Sequence, residues 1–180
     1  MHEVLEGHGG QHHEFEENPL TLPVTTTLSI LAVLVALVTL LGHRAHTEEL
    51  LLQTQATDQW ALFQARNIRL HEMQAVADML GTFTPVDKEK AATLQERYLK
   101  EVGRYNQEKE ETSDKAKELE NERSLASRRA DRFDGGEVFL EIGLIITSFT
   151  LLTKKKLFWY SGIVLGIVGS VIAVTGFLMH

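Results

Sequence analysis

LLGHRAHTEELL, Leu40–Leu51, carries an apolar run into a charged one without a break. Gly42 closes 25 residues that hold no charge, counted from Asn18. His43, Arg44 and His46 follow, then Glu48 and Glu49, and leucines return at once. No proline and no cluster of turn-forming residues interrupts the passage, so a single helix is expected to continue across it. The plan is a membrane segment that feeds directly into a charged helix.

The uncharged run is long enough, at 1.5 Å per residue, to cross a hydrocarbon layer of about 30 Å. Leu157–Met179 supplies 23 more residues without a charge. Val138–Thr153 is apolar except for Glu141. It becomes a span if its helix starts near Gly135, with Glu141 in the first turns near the interface. Three membrane helices are therefore expected, over 19–42, 135–153 and 157–179. The first is read as a retained anchor, because the segment before it is acidic and holds no Lys or Arg, unlike a signal peptide. Residues 1–18, rich in His, Glu and Gly, have little to bury and are expected to be a disordered tail.

Composition narrows the chemistry. The 180 residues include no cysteine, which excludes disulfides, thiolate metal sites and cysteine nucleophiles. The net charge of −7 argues against a nucleic-acid partner. A mean hydropathy of −0.10 is the average of separate apolar and charged blocks, and does not describe an ordinary soluble chain.

The middle of the chain, residues 43–134, is helical in composition, and from His43 to Phe133 it holds 15 Lys/Arg against 17 Asp/Glu. Its firm interruption is GTFTPVD, Gly81–Asp87. Gly81 can end a helix, Pro85 cannot continue one, and Thr84 or Asp87 can cap the next. Two arms follow from this. On the first, Leu52, Ala56, Gln59, Phe63, Arg66, Leu70, Met73, Ala77 and Leu80 alternate at four and three. On the second, Tyr98, Val102, Tyr105, Lys109, Thr112, Ala116, Leu119, Arg123, Ala126, Ala130 and Phe133 do the same. That alternation marks a coiled-coil seam, and the short turn makes the pair an antiparallel hairpin standing off the bilayer. The seam is impure, and YNQEKEETSDKAKELENERS, Tyr105–Ser124, has Leu119 as its only aliphatic residue, so it is expected to pack weakly or to need another chain. The second arm is the longer. A kink near Gly103, a break at Gly135-Gly136 or an offset of the two spans must absorb the difference.

Spans two and three are joined by TKKKL, so short that they form a membrane hairpin turning at 154–156. Gly162, Gly166 and Ser170 recur at four-residue spacing, with Gly169 and Ala173 on a neighbouring stripe, which lets helix backbones approach closely. Lys154, Lys155 and Lys156 form a compact basic loop of the kind retained in the cytoplasm. This places the amino terminus and the basic turn inside a bacterial inner membrane and the hairpin in the periplasm.

The stretch from Gly42 to Met73 resembles a bacterial membrane-protein family catalogued as domain of unknown function 4337. The resemblance rests on Gln55, Ala56, Thr57, Asp58, Gln59, Trp60, Gln64, Ala65, Arg66, Ile68 and Arg69, and on Lys154–Lys156 followed by Trp159-Tyr160. It implies a small integral membrane protein of unassigned activity. Members often carry basic residues just before the first span, and this chain has none there.

Several residues are candidates for a site. Glu137 and Glu141 enter the membrane on the side where Arg44 leaves it, and an intramembrane carboxylate is costly unless paired, so an ion pair with Arg44 is expected. His43 and His46, three apart on one face, could instead hold a metal or relay a proton with Glu49 or Glu141. The electrostatic reading is preferred, since no third close ligand is evident. His2, His8, His12 and His13 could bind metal weakly in a loose tail. His71-Glu72 begins a zinc-protease motif, but Ala75 stands where the second histidine belongs. Polar residues at a seam often fix register and partner number, so Asp58, Gln59, Trp60, Arg66 and Arg69 are expected to specify a helical assembly, with Asp58 paired to Arg66 or Arg69.

The sequence thus points to an all-α, three-span protein with a coiled-coil stalk, self-associating, structural or scaffolding in role. The bilayer is its expected environment, no cofactor is called for, and no nucleophile–base or ligand constellation marks an enzyme. An oligomeric channel or transport accessory using Glu141 and the His43–Arg44 cluster is the rival, and a metal-binding membrane protein a third.

Overall fold

The computed structural model describes residues 19–82 and 86–179; the tail 1–18 with its histidines lies outside them, as does the tip 83–85. The described residues form three helices, α1 (Thr21–Thr82), α2 (Lys88–Thr153) and α3 (Lys156–Phe177), and no strand. Each contains a window long and apolar enough to cross a membrane. With 62 and 66 residues, α1 and α2 are far longer than a span needs. At 1.5 Å per residue each runs about 90–100 Å, some three hydrocarbon thicknesses.

Pro23 sits in the first turn of α1, where its missing N–H costs no helical bond. The threonines behind it return their hydroxyls to the preceding turn, Thr26 to the Leu22 carbonyl (2.9 Å) and Thr27 to that of Pro23 (2.8 Å). Such back-bonding satisfies polar groups inside an apolar run. As the passage Leu40–Leu51 implies, α1 crosses it without a break. Asp87 caps α2, its carboxylate accepting from the Lys90 N–H at 3.1 Å.

Every seam position read from the sequence, Leu52 to Leu80 on α1 and Tyr98 to Phe133 on α2, is buried or half-buried. The two helices meet along this line: Gly42 lies against Phe133, Trp60 reaches Glu120, Arg66 reaches Glu108 and Thr112, and Gln95 donates to the Ala77 carbonyl. Residues 105–124, expected to pack weakly, are seated by small side chains instead of large ones. Thr112, Ser113 and Ala116 are buried there, and small residues let two helices approach closely enough to pack without leucines.

α2 runs unbroken through Gly103 and through Gly135-Gly136, where a break was one expectation. Gly135 and Gly136 serve contact with α3 rather than termination, while Gly103 faces open space. A Cβ on Gly136 would lie 2.8 Å from the Gly169 carbonyl oxygen, so α3 touches the α2 backbone at this point. The surplus length of the second arm goes to the tip, since Gln95, early in α2, already sits over Gly81.

Lys154 ends α2 in the left-handed region (φ 56°), its N–H bonded to the Thr150 carbonyl, and α3 begins at Lys156, so the basic turn is one residue shorter than read. That conformation costs a non-glycine residue about 1–2 kcal/mol. The contact that follows offsets it. Gly136, Leu140, Gly143, Thr147 and Thr150 are buried on α2 at alternating four and three, and Gly162, Gly166, Gly169, Ala173 and Gly176 are buried on α3 with the same rhythm. Ser170 is half-buried beside this stripe and bonds the Gly166 carbonyl. α3 touches α1 at its start, where Trp159 Nε1 donates to Thr27 Oγ1 at 3.0 Å. Leu31, Val38 and Ala45 of α1, Ala130, Phe133 and Leu140 of α2 and Ala173 of α3 form one buried cluster.

Candidate functional site at the base of the hairpin

Charged groups gather where the apolar segments of α1 and α2 give way to the arms. Gly42 makes this close: a Cβ there would meet Asp134 Oδ1 at 3.3 Å and Phe133 Cβ at 3.5 Å. One turn further along α1, His46 Nε2 lies 3.0 Å from Asp134 Oδ2, and its Nδ1 lies 3.7 Å from Glu49 Oε2. Thr39 Oγ1 donates to Glu137 Oε1 at 2.6 Å, one turn inside. Arg129 Nε donates to the Met179 carbonyl at 2.7 Å, and its Nη1 lies 3.7 Å from Glu48.

The structure does not bring Arg44 to Glu137 or Glu141. Among the described residues Arg44 makes no ion pair; Glu137 is served by the Thr39 hydroxyl, and Glu141 is exposed with no partner. Besides Thr39–Glu137 and Glu48–Arg129, the two helices are joined here by His46 and Asp134, a carboxylate that the sequence does not single out over the deeper Glu137 and Glu141. His43 is exposed and apart. Both nitrogens of His46 face carboxylates, yet no group of three or more His, Asp or Glu among the described residues is arranged to hold a metal.

The hydrogen-bonded Asp134 carboxylate raises the His46 pKa above its ordinary 6.5, against a lowering by partial burial, and Glu49 adds to the rise. A group whose folded pKa is raised contributes stability that is complete below its unfolded pKa and lost as pH rises through the folded one. The wild type is therefore expected to unfold less readily than His46→Gln at about pH 6, and to lose that advantage as pH rises past 6.5 and through the raised folded-state pKa. Denaturant midpoints of both across this range would check it; a pH-independent difference would mean that the imidazolium plays no part.

Along the arms, Trp60 Nε1 donates to Glu120 Oε1 at 2.8 Å and stacks edge-on to Phe63. Arg66 donates through Nη1 to the Glu108 carbonyl at 2.7 Å and to Thr112 Oγ1, while its Nε lies 3.5 Å from Glu108 Oε2. Gln59 is half-buried; Asp58 and Arg69 are exposed, and the expected pairing of Asp58 with either arginine is not formed. The partners Glu108, Thr112 and Glu120 lie in the stretch that sequence reading judged weakest, and no local signal ties them to residues 42–60 positions away.

The family model described as Domain of unknown function (DUF4337) matches residues 21–179. The chain belongs to the DUF4337 family. The matched DUF4337 segment starts with the first residue of α1 and ends two residues past α3, so the base of the hairpin and both arms lie inside it. No curated protein and no solved structure matches the chain.

Proposed function

We propose that the chain is a non-enzymatic, self-associating scaffold of a bacterial inner membrane, anchored by three spans and carrying an antiparallel coiled-coil stalk. The observation that carries self-association is Glu141. It sits seven residues beyond Asp134, about 10 Å further along α2, exposed and with no partner among the described residues. A carboxylate turned toward hydrocarbon is costly, and a second copy laid over that face removes the exposure. The arms support the same reading. From Leu50 to Thr82 α1 holds 5 charged residues, against 23 from Lys88 to Arg132 on α2, so α1 presents the less solvated outer face. Leu50, Ile68 and Met79 are exposed on it. The antiparallel reading rests on contacts that climb one helix as they descend the other, from Gly42–Phe133 through Trp60–Glu120 and Arg66–Glu108 to Ala77–Gln95.

Native mass spectrometry of the nanodisc-held protein is the direct test, with one closed oligomer expected. A monomer at every concentration would end the proposal. A channel is the second reading, favoured by the same exposed Glu141 if it lines a shared axis. In that case Glu141→Gln abolishes ion conductance and leaves oligomer size unchanged.

The basic turn is proposed to face the cytoplasm and the stalk the periplasm. The chain holds no cysteine, so single replacements are clean reporters. A cysteine at Lys155 is expected to resist an impermeant maleimide added to intact cells, and one at Ser127 to react. The opposite pattern would invert the topology.

A further inference from the structure

A notch at the base of the hairpin has a chemistry that neither the stalk nor self-association uses. It is a cavity of about 200 Å³ between α1, α2 and the end of α3. Leu41, Phe133 and Phe177 wall it, and Arg44, Arg129 and Glu48 form its polar rim. Arg129 is held from two sides, by the Met179 carbonyl and by Glu48. Arg44, with no ion pair among the described residues, keeps its guanidinium fork free. The notch also has a definite height. Arg44 stands two residues past Gly42, where the first uncharged run ends, and Phe177 two before Met179, where the last one ends. In a bilayer that is the headgroup level, which makes this inference dependent on the membrane placement but independent of self-association.

The geometry points to a site for a phosphodiester, supplied by the headgroup of an anionic phospholipid whose acyl chain passes along Phe177. Two guanidinium groups and one carboxylate leave a net charge of +1 on the rim. A single phosphodiester cancels it. Arginine meets phosphate oxygens through two parallel N–H donors, a geometry that lysine does not reproduce. A guanidinium pair between membrane helices suits an anionic headgroup, and the aromatic wall supplies the apolar contact that a free ion would not need.

The test uses the full chain in nanodiscs of equal parts phosphatidylglycerol and phosphatidylethanolamine, released and weighed by native mass spectrometry. Phosphatidylglycerol adducts are expected to outnumber phosphatidylethanolamine adducts, and Arg44→Gln to lower them about tenfold, as loss of a bidentate charged contact should. Arg44 has no ion-pair partner among the described residues, so its neutral variant is expected to fold; Arg97→Gln, near the tip, is expected to change nothing. Equal adducts in wild type and Arg44→Gln overturn the site, and so does equal retention of the two lipids. A delipidated, detergent-held sample titrated with inorganic phosphate separates the sources. No saturable binding is expected, and saturable binding lost in Arg44→Gln would overturn the lipid assignment in favour of soluble phosphate. A monomeric mass with Arg44-dependent phosphatidylglycerol would sink self-association alone and leave this site standing.

Discussion

Gly169→Ala, a change of one methyl group, is expected to destabilise the protein by about 1–3 kcal/mol, the usual range for overpacking, or more. The added Cβ would stand 2.7 Å from the Gly136 carbonyl oxygen, 2.9 Å from Leu140 Cγ and 3.0 Å from the Leu140 N. Two of these three are backbone atoms, so no rotamer change relieves the clash and the helices must part. Even close carbon–oxygen contacts between helices lie near about 3.3–3.6 Å, which sets the separation at more than half an ångström. A gap of about 0.5–1 Å forfeits a quarter to a half of each dispersion contact, and here it opens along the whole four-three stripe of α2 and α3. Gly103→Ala is the contrasting case. Nothing lies within 4 Å of its added Cβ and its helix is unbroken, so it is expected to stabilise by about 0.5–1 kcal/mol. Denaturant midpoints of the two variants in one detergent would check both. A Gly169→Ala midpoint at or above that of wild type would remove the close-contact account of α2–α3 packing.

The contrast also explains what could be read from residues alone. The four-three seam was legible because periodicity is local: once a helix is granted, the positions that share a face follow, and every one from Leu52 to Phe133 is buried or half-buried. The glycine stripe of α3 was legible for the same reason. Its counterpart on α2 was not, because Gly136 and Gly143 stand seven apart and only the buried Leu140 and Thr147 complete the rhythm. Gly135-Gly136 looked like a helix terminator, and the identity of a terminator depends on what packs against it. Pairings between arms were the least accessible. The match of His46 to Asp134, or Trp60 to Glu120, is fixed by how many residues the tip consumes, and a shift of one turn would have offered Glu137 and Glu141 to Arg44 instead. Charge alone does not choose between those registers. Contact of Gly42 with Phe133 and of Gly136 with Gly169 does.

Arg66→Leu is expected to lower stability by about 1.5–3 kcal/mol, the range for a hydrogen bond to a charged group, without altering oligomer size. From sequence this arginine looked like a determinant of partner number. Its partners are in its own chain: the Glu108 carbonyl at 2.7 Å, the Thr112 hydroxyl, and the Glu108 carboxylate 3.5 Å from Nε. Thr112 is 3% exposed, but its hydroxyl keeps its own bond to the Glu108 carbonyl at 2.6 Å when the guanidinium is removed. The lost charge-assisted hydrogen bonds themselves therefore set the cost. The neighbourhood is partly open, Arg66 being 33% and Glu108 35% exposed, so the ionic share is screened and added salt should recover little beyond it. Arg66→Lys is expected to rescue poorly, because one ammonium cannot address a carbonyl, a hydroxyl and a carboxylate from a planar fork. A double-mutant cycle with Glu108→Gln should return a coupling of about 0.5–3 kcal/mol if the contact is made within the hairpin. The decisive reading is concentration dependence. A lock inside one chain loses the same stability at every protein concentration, whereas a lock between copies loses it as the protein is diluted. An unfolding midpoint for Arg66→Leu that falls on dilution more steeply than wild type would move this arginine from the contact between α1 and α2 to a contact between copies of the chain.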